Sequence, residues 1–446
     1  MGSHIMTEQN TTNKQKIRVI LALAVPAMIE NILQTVVGFV DTLFVSKIGL
    51  VEVTAVGIAN AILAVYMAIF MALGTGTSAL IARSVGAKDF EKAKSIAKQA
   101  TWIAILIGLL FGLISLFFAE PLLKIMGAEP NVLEVAVTYF RIVAVPSVFI
   151  SLMFVFGSIL RAAGDTKTPM KVSVWINIVH IVFDYLLIFG FWKFGGLGIT
   201  GAAWATVIAR ILGTIALYRY IVKSKLHFSL FDGFSFNDSP RSLIKLSTPA
   251  AAERLIMRLG QVLYFGLIVH IGTATYAAHT IAGNIEIFSY MPGYGLAVAA
   301  TTLVGQNLGA NQKKEAYSYG MLTTGIAVLF MSFIGVILYF FSPWFVTWFT
   351  TDKNVIDMVT TALRIDAFAQ PALAIGLVLA GALQGAGDTK SPMYSTAVGM
   401  WVIRVIGVYI LGIQMGTGIA GVWLSILIDL FVRAGYLLLR FKKKMA

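Results

Sequence analysis

Gly164–Met170 reads GDTKTPM, and Gly387–Met393 reads GDTKSPM. The two heptads lie 223 residues apart and differ by one exchange, Thr168 for Ser391, which keeps the hydroxyl. The same offset aligns Pro26-Ala27 with Pro249-Ala250, Glu30 with Glu253, Gly49 with Gly272, and Arg141-Ile142 with Arg364-Ile365. It also aligns Val85-Gly86-Ala87 with Leu308-Gly309-Ala310, and farther on GITGAAW from Gly198 matches GIAGVWL from Gly418 at an offset of 220. The chain is therefore one plan used twice. Gly-Asp-Thr suits a tight turn in which the Asp carboxylate accepts from backbone N–H groups. Pro169 and Pro392 then fit the first turn of the helix that follows. The heptads read as structural elbows and not as ligand sites.

What they connect is membrane-spanning. Of the 446 residues, 58% are hydrophobic and only 12% charged, half the charge of an ordinary soluble domain. Twelve apolar spans, near 17–45, 53–82, 94–119, 132–160, 168–191, 198–222, 241–270, 276–305, 317–341, 354–382, 391–413 and 418–440, are long enough to cross a bilayer. The expected fold is all-α and polytopic, with twelve transmembrane helices in two pseudo-symmetric six-helix lobes. Residues 1–5 read as a cloning scar ahead of Met6, 6–222 as the first lobe, 223–240 as a cytoplasmic linker and 241–446 as the second lobe. No cleavable signal peptide is evident. With an even number of spans per half, the lobes share one orientation and form parallel repeats, an arrangement suited to rocking one half against the other around a central site.

Charge sets the orientation. Alternate span ends, from Lys14 to Lys444, gather about 23 Lys and Arg, against Lys47, Lys124, Lys193 and Lys353 on the other side. The positive-inside rule places both termini in the cytoplasm of a cell inner membrane. The net charge of +13 thus belongs to topology and anionic-lipid contact, not to nucleic acid. With no cysteine, a disulfide framework, a thiol nucleophile and a Cys-ligated metal are excluded. No HExxH pair or GxSxG elbow occurs, so the chain does not read as an enzyme, and no metal or cofactor is expected.

The remaining signal is a small set of polar residues inside the spans. Asp41 stands in the second half of the first span, NILQTVVGFVDTLFVS over Asn31–Ser46. An aspartate at mid-bilayer costs about 2.5–3.5 kcal/mol on insertion scales and so marks a functional site. Gln34 lies seven residues before it, on the same helical face. In the fifth span Asn177, His180 and Asp184 share a face at i, i+3 and i+7. Both acids break the repeat, since Asp41 aligns with Tyr264 and Asp184 with Gly407. Coupling chemistry is therefore expected in the first lobe alone. Glu30 and Glu253, at equivalent positions, read as a shared structural pair, Glu253 with Arg254 and Arg258 as ion partners. Glu286, Asp366 and Asp429 read as ligands or as partners of Arg364, Arg404 or Arg433. Met28, Met257, Met291, Tyr264, Tyr290, Phe149 and Phe154 are candidates for an adaptable apolar wall, because soft Met and aromatic surfaces suit varied and cationic ligands.

The segment PAMIENILQTVVGFVDTLFVSKIG, the run GTGTSALIARSVGA and the elbow LRAAGDTKTPM resemble the multidrug and toxic compound extrusion family, with the nearest likeness to its DinF branch. The resemblance implies two six-helix lobes in a V around a central chamber, and export of cationic amphipathic drugs or dyes in exchange for H⁺ or Na⁺. It assigns Asp41 to the family's first-helix acid, Asp184 to the fifth-helix acid and Thr206 to a threonine that joins them in a proposed cation site. The archaeal pattern has Asn one turn before the fifth-helix acid, where His180 stands here. Hard cations prefer oxygen. The acids that the sodium-coupled branch places in its seventh and tenth helices fall near Met257 and Leu373. Both departures favour protons as the coupling ion. The expected function is H⁺-coupled multidrug efflux by a monomer in the lipid bilayer, with Asp41 exchanging a proton for the substrate. A Na⁺-coupled drug antiporter, a lipid-linked oligosaccharide flippase of the same superfamily and an ion channel are the alternatives.

Overall fold

The computed structural model describes residues 12–229 and 240–446. The scar at 1–5 and residues 230–239 of the linker lie outside the described residues. The first lobe holds α1 (Asn13–Ser46), α2 (Leu50–Gly86), α3 (Phe90–Ile125), α4 (Pro130–Ala144), α5 (Ser147–Ala162), α6 (Lys167–Phe189) and α7 (Ile199–Val222). The second holds α8 (Arg241–Ile271), α9 (Thr273–Gly309), α10 (Lys313–Val346), α11 (Lys353–Gly385), α12 (Lys390–Thr396) and α13 (Ile419–Met445). With α4 and α5 counted as one bent span, each lobe holds six spans, as the repeat leads one to expect.

Among the described residues eleven helical segments are long and apolar enough to cross a membrane, and α4 with α5 makes a twelfth span bent by 45°. The expected straight span at 132–160 is thus broken. Pro146 stands at the break, at φ −81°, ψ 40° between the two helices. It offers no N–H to the helical ladder, and its ring crowds the preceding turn. The repeat-related α11 runs unbroken despite Pro371. The span expected at 391–413 also departs from a plain α-helix. Beyond α12 the chain winds as π-helix over Ala397–Val405 and Val408–Gln414, a rare geometry that recurs at functional sites. The fifth span stops at Phe189, where Gly190 takes φ +80° and opens a two-stranded hairpin, Gly190–Phe191 against Phe194–Gly195.

The elbows have the form expected of them. Asp165 accepts from the Thr168 N–H at 3.0 Å, and Asp388 from the Ser391 N–H at 2.9 Å and the Ser391 hydroxyl at 2.6 Å. Gly164 and Gly387 adopt φ +95° and +86°, a left-handed conformation that favours glycine.

The lobes do not divide their cores cleanly. Ile20 and Ala24, early in α1, pack into the second lobe's core. Lys16, only 5% exposed, reaches across to Glu315 at 3.0 Å and Ser318 at 2.8 Å. More of the seam lies at the same end of the bundle, the end that carries the elbows and most of the basic residues. There Thr302 donates to the Arg161 carbonyl and Gln306 to the Ala162 carbonyl, both at 3.0 Å.

Candidate functional site

α1 meets α6 through aromatic packing. The Phe44 ring lies 6.0 Å from those of Tyr185 and Phe189. One turn away this contact brings the polar residues of the two helices together. Ligand atoms of Asp41, His180 and Asp184 all lie within 4.8 Å of one another. Asp184 is 1% exposed, while Asp41 and His180 are half-buried. The two carboxyls are therefore close neighbours, and two like charges at this separation repel unless a proton or a cation offsets them.

α7 closes the group. The Thr206 hydroxyl lies 3.3 Å from His180 Nε2 and donates to the Ala202 carbonyl at 3.0 Å. One turn on, Arg210 lies within electrostatic range of Asp41 without a salt bridge to it, and so does the Tyr139 hydroxyl from α4. Among the described residues Asp41 Oδ1, Asp184 Oδ1 and Arg210 Nη1 are buried without hydrogen-bond partners.

Arg210 and Tyr139 were not anticipated from the sequence. Arg210 carried a legible signal, a lone guanidinium inside the apolar run from Trp204 to Tyr218, four residues after Thr206 and on its face. Tyr139 carried none, because an aromatic residue in a span is ordinary packing until its neighbours are known. Asn177 stands a turn away and donates to Ser173 at 3.2 Å.

The expected substrate wall is scattered. Gln34 is exposed on α1, and at Gly38, between it and Asp41, an added Cβ would meet nothing within 4 Å. Met28 lies against Gly295 of α9 at the seam. Met257, Phe149 and Phe154 are half-buried on α8 and α5. Tyr264 and Met291 are 4% and 6% exposed in the second-lobe core, so neither presents an open surface here. An unanticipated aromatic contact joins the lobes beside Asp41, where Phe39 stacks on Phe288 at 6.5 Å.

The remaining acids sort by partner. Glu30 binds Arg161 at 3.1 Å, whereas Glu253 accepts from Thr396 at 3.0 Å. Among the described residues Glu253 forms no salt bridge to Arg254 or Arg258, contrary to expectation. Gln384 stands where the repeat would place Arg161's counterpart, so the two glutamates no longer share a partner type. Asp429, fully buried, binds Arg404 at 2.9 Å and Arg433 at 2.6 Å. The Arg404 guanidinium also lies 5.6 Å over the Tyr264 ring. Arg364 pairs instead with the Tyr339 carbonyl at 3.1 Å. Glu286 is buried within electrostatic range of Asp366 and Tyr290, and Asp366 accepts from Gln370 at 2.9 Å. The second lobe therefore holds its own buried network, built around an arginine–aspartate core.

The repeat and the fold agree with known proteins. Residues 26–186 and 249–410 match the family model described as MatE. The probable multidrug resistance protein NorM of Thermotoga maritima is 30% identical over 427 residues, covering 95% of this chain and 91% of that protein. The transporter YisQ of Bacillus subtilis is 29% identical over 93% of this chain and 91% of its own length. A solved structure of a MOP superfamily transporter from Pyrococcus furiosus superposes with a TM-score of 0.89 at 25% identity, covering 98% of this chain and 99% of that one; its description reports a binding pocket of reversed polarity. Matched in both halves of its repeat, the chain is a transporter and not an enzyme, and it belongs to the MatE family, the multidrug and toxic compound extrusion transporters.

Proposed function

We propose that this transporter exports cationic, amphipathic compounds by exchanging them for protons at the first-lobe carboxyls, in the manner of the DinF branch. The observation that carries the reading is the convergence of Asp41, His180 and Asp184 within 4.8 Å, on the α1 segment that leaves Gln34 and Gly38 open. The multidrug resistance name of the Thermotoga maritima relative supports the substrate class.

The basic end of the bundle is cytoplasmic by the positive-inside rule. The seam there is held by Lys16–Glu315 and by the Thr302 and Gln306 bonds. Protonation of the Asp41–Asp184 pair removes the charge that holds a cationic passenger, which leaves to the outside. The neutral form returns, releases its proton to the cytoplasm and binds the next passenger. One proton for one monovalent cation moves no net charge, so the cycle draws on ΔpH. A monomer contains both lobes and the whole cluster, and it works in the cell inner membrane with both termini cytoplasmic.

Two features support H⁺ over Na⁺. Arg210 already places a fixed positive charge beside the carboxyls, and His180 offers nitrogen where a hard cation prefers oxygen. The test is ethidium-like dye transport in sealed vesicles, wild type beside Asp41→Asn, under an imposed pH gradient and separately under a sodium gradient. The expected result is pH-driven transport that a protonophore abolishes and the variant lacks. Undiminished pH-driven transport by Asp41→Asn would sink the proposal. Sodium-driven transport that survives the protonophore would move the reading to Na⁺ coupling.

A further inference from the structure

We infer that the second elbow forms a binding pocket for the phosphate-ester headgroup of an anionic phospholipid, built from Lys245, Lys390, Arg440 and Lys444. A cavity of about 460 Å³ opens here, between the start of α8, the elbow Gly387–Ser391, and Tyr436, Arg440 and Lys444 of α13. Four cations converge on it with one acid, Asp388, giving a formal charge of +3. That acid is already engaged by Ser391, with Arg440 3.9 Å away. Among the described residues none of the three lysines has a carboxylate within 4.0 Å.

The repeat separates what the turn needs from what the pocket adds. Asp165 caps the first elbow through Thr168 just as Asp388 caps the second through Ser391. The lining differs. At the offsets of 223 and 220, Lys245 corresponds to Ala22, Arg440 to Tyr220 and Lys444 to Ser224. Lys390 keeps its counterpart in Lys167, and Lys171 stands where the second half has Tyr394. Arg440 also donates to the Ser391 hydroxyl at 3.2 Å, but the turn forms in both halves without Lys245 or Lys444, so these two cations serve something other than the turn.

Their position identifies the anion. Next to Lys245 stands Ile244, 51% exposed, and next to Arg440 stands Leu439, 70% exposed. An anion in the pocket would sit at the bilayer edge with apolar helix surface beneath it, the arrangement that accepts a headgroup above and acyl chains below. Basic pockets between transmembrane helices on the cytoplasmic side bind anionic headgroups in this way. The inference is independent of the antiport reading, since it uses none of the first-lobe residues.

The experiment titrates the purified full-length protein in neutral detergent with short-chain phosphatidylglycerol, with phosphatidylcholine of equal chain length, and with inorganic phosphate. Saturable binding of phosphatidylglycerol is expected, with Lys245→Ala/Lys444→Ala weakening it about 30-fold, the effect of two basic residues at a membrane surface. Lys245→Arg/Lys444→Arg should retain binding. The charge-matched pair Lys92→Ala/Lys314→Ala, on exposed positions of the same end, should change it by less than about threefold. Equal losses from the two alanine pairs would reduce the site to diffuse attraction. Binding of phosphatidylcholine as tight as phosphatidylglycerol, or of inorganic phosphate as tight as the lipid, would overturn the headgroup assignment.

Discussion

Gly86 and Gln306 meet across the lobe seam with their backbones in contact. A Cβ at Gly86 would fall 1.8 Å from the Gln306 carbonyl oxygen. The repeat turns this single contact into a pair. Gly86 corresponds to Gly309 and Gln306 to Arg83, and a Cβ at Gly309 would fall 1.9 Å from the Arg83 carbonyl oxygen. Each lobe thus presents the same glycine to the same position of the other, as two subunits do around a twofold axis. The seam is thus self-complementary across the repeat at this contact.

Gly86→Ala or Gly309→Ala should therefore open the basic end. No rotamer relieves a Cβ–backbone clash, so the lobes must part. Overpacking of this kind costs about 1–3 kcal/mol, enough to shift an open–closed equilibrium about tenfold. The chain lacks cysteine, so Thr302→Cys, at a 2% exposed seam position, gives a reporter without background. Its reaction with a water-soluble maleimide should speed up about tenfold in either alanine variant. An unchanged rate would mean that the seam yields locally and the lobes stay shut.

Arg210 should prove structurally necessary only while both first-lobe acids are present. Arg210→Met leaves two facing carboxyls without their cation, and loss of one partner from a buried charge group costs about 3–5 kcal/mol. Adding Asp184→Asn removes one of the acids and should recover most of the loss. Thermal unfolding of the two singles and the double in detergent measures the coupling, expected at 1 kcal/mol or more. Additive effects would show that Arg210 does not act on the pair.

In the second lobe the prediction separates two acids that look alike in sequence. Asp429→Asn strands Arg404 and Arg433 together and should destabilise by about 3–5 kcal/mol. Glu286→Gln keeps the side chain's shape and leaves no arginine stranded, so its cost should stay below about 1.5 kcal/mol. Gly399→Ala should behave like a partial Asp429 variant, because its Cβ would fall 2.0 Å from Asp429 Oδ1. Chemical denaturation of the three variants in detergent orders them. Equal losses from Glu286→Gln and Asp429→Asn would contradict the partner assignment.

These networks show where sequence reading stopped. Span number, lobe symmetry and elbow chemistry were all legible, because each rests on local signals: apolar length, a repeated heptad, a Gly-Asp turn. The meeting of Asp41 with Asp184 was suggested by resemblance and by two acids breaking the repeat. Asp429, Arg404 and Arg433 were already among the candidate partners, and Arg433 lies one turn after Asp429 on α13. The π-helical winding after α12, which brings Gly399 against Asp429, was not legible, because no local pattern in AVGMWVIRV announces it. The break at Pro146 was missed for a related reason. Pro371 sits inside α11 without breaking it, so proline alone does not decide, and tertiary packing does.

The elbows provide the last test, because their reading as structure excludes their reading as a substrate site. In each, an Asp carboxylate satisfies donors of the following helix's first turn, an interaction whose loss to alanine costs about 1 kcal/mol. Asp165→Ala and Asp388→Ala should each lower stability by about that amount. The two elbows lie in different lobes and share no partner, so the double variant should show the sum. Gly164→Ala and Gly387→Ala should cost about 1–2 kcal/mol apiece, since a Cβ is strained at φ +95° and +86°. Thr168→Ser, which copies the second elbow into the first, should be neutral. Thermal unfolding reads all of these, and the dye concentration for half-maximal transport should stay within about twofold throughout. A variant that keeps its stability but shifts that concentration tenfold would place the elbow in the transport path.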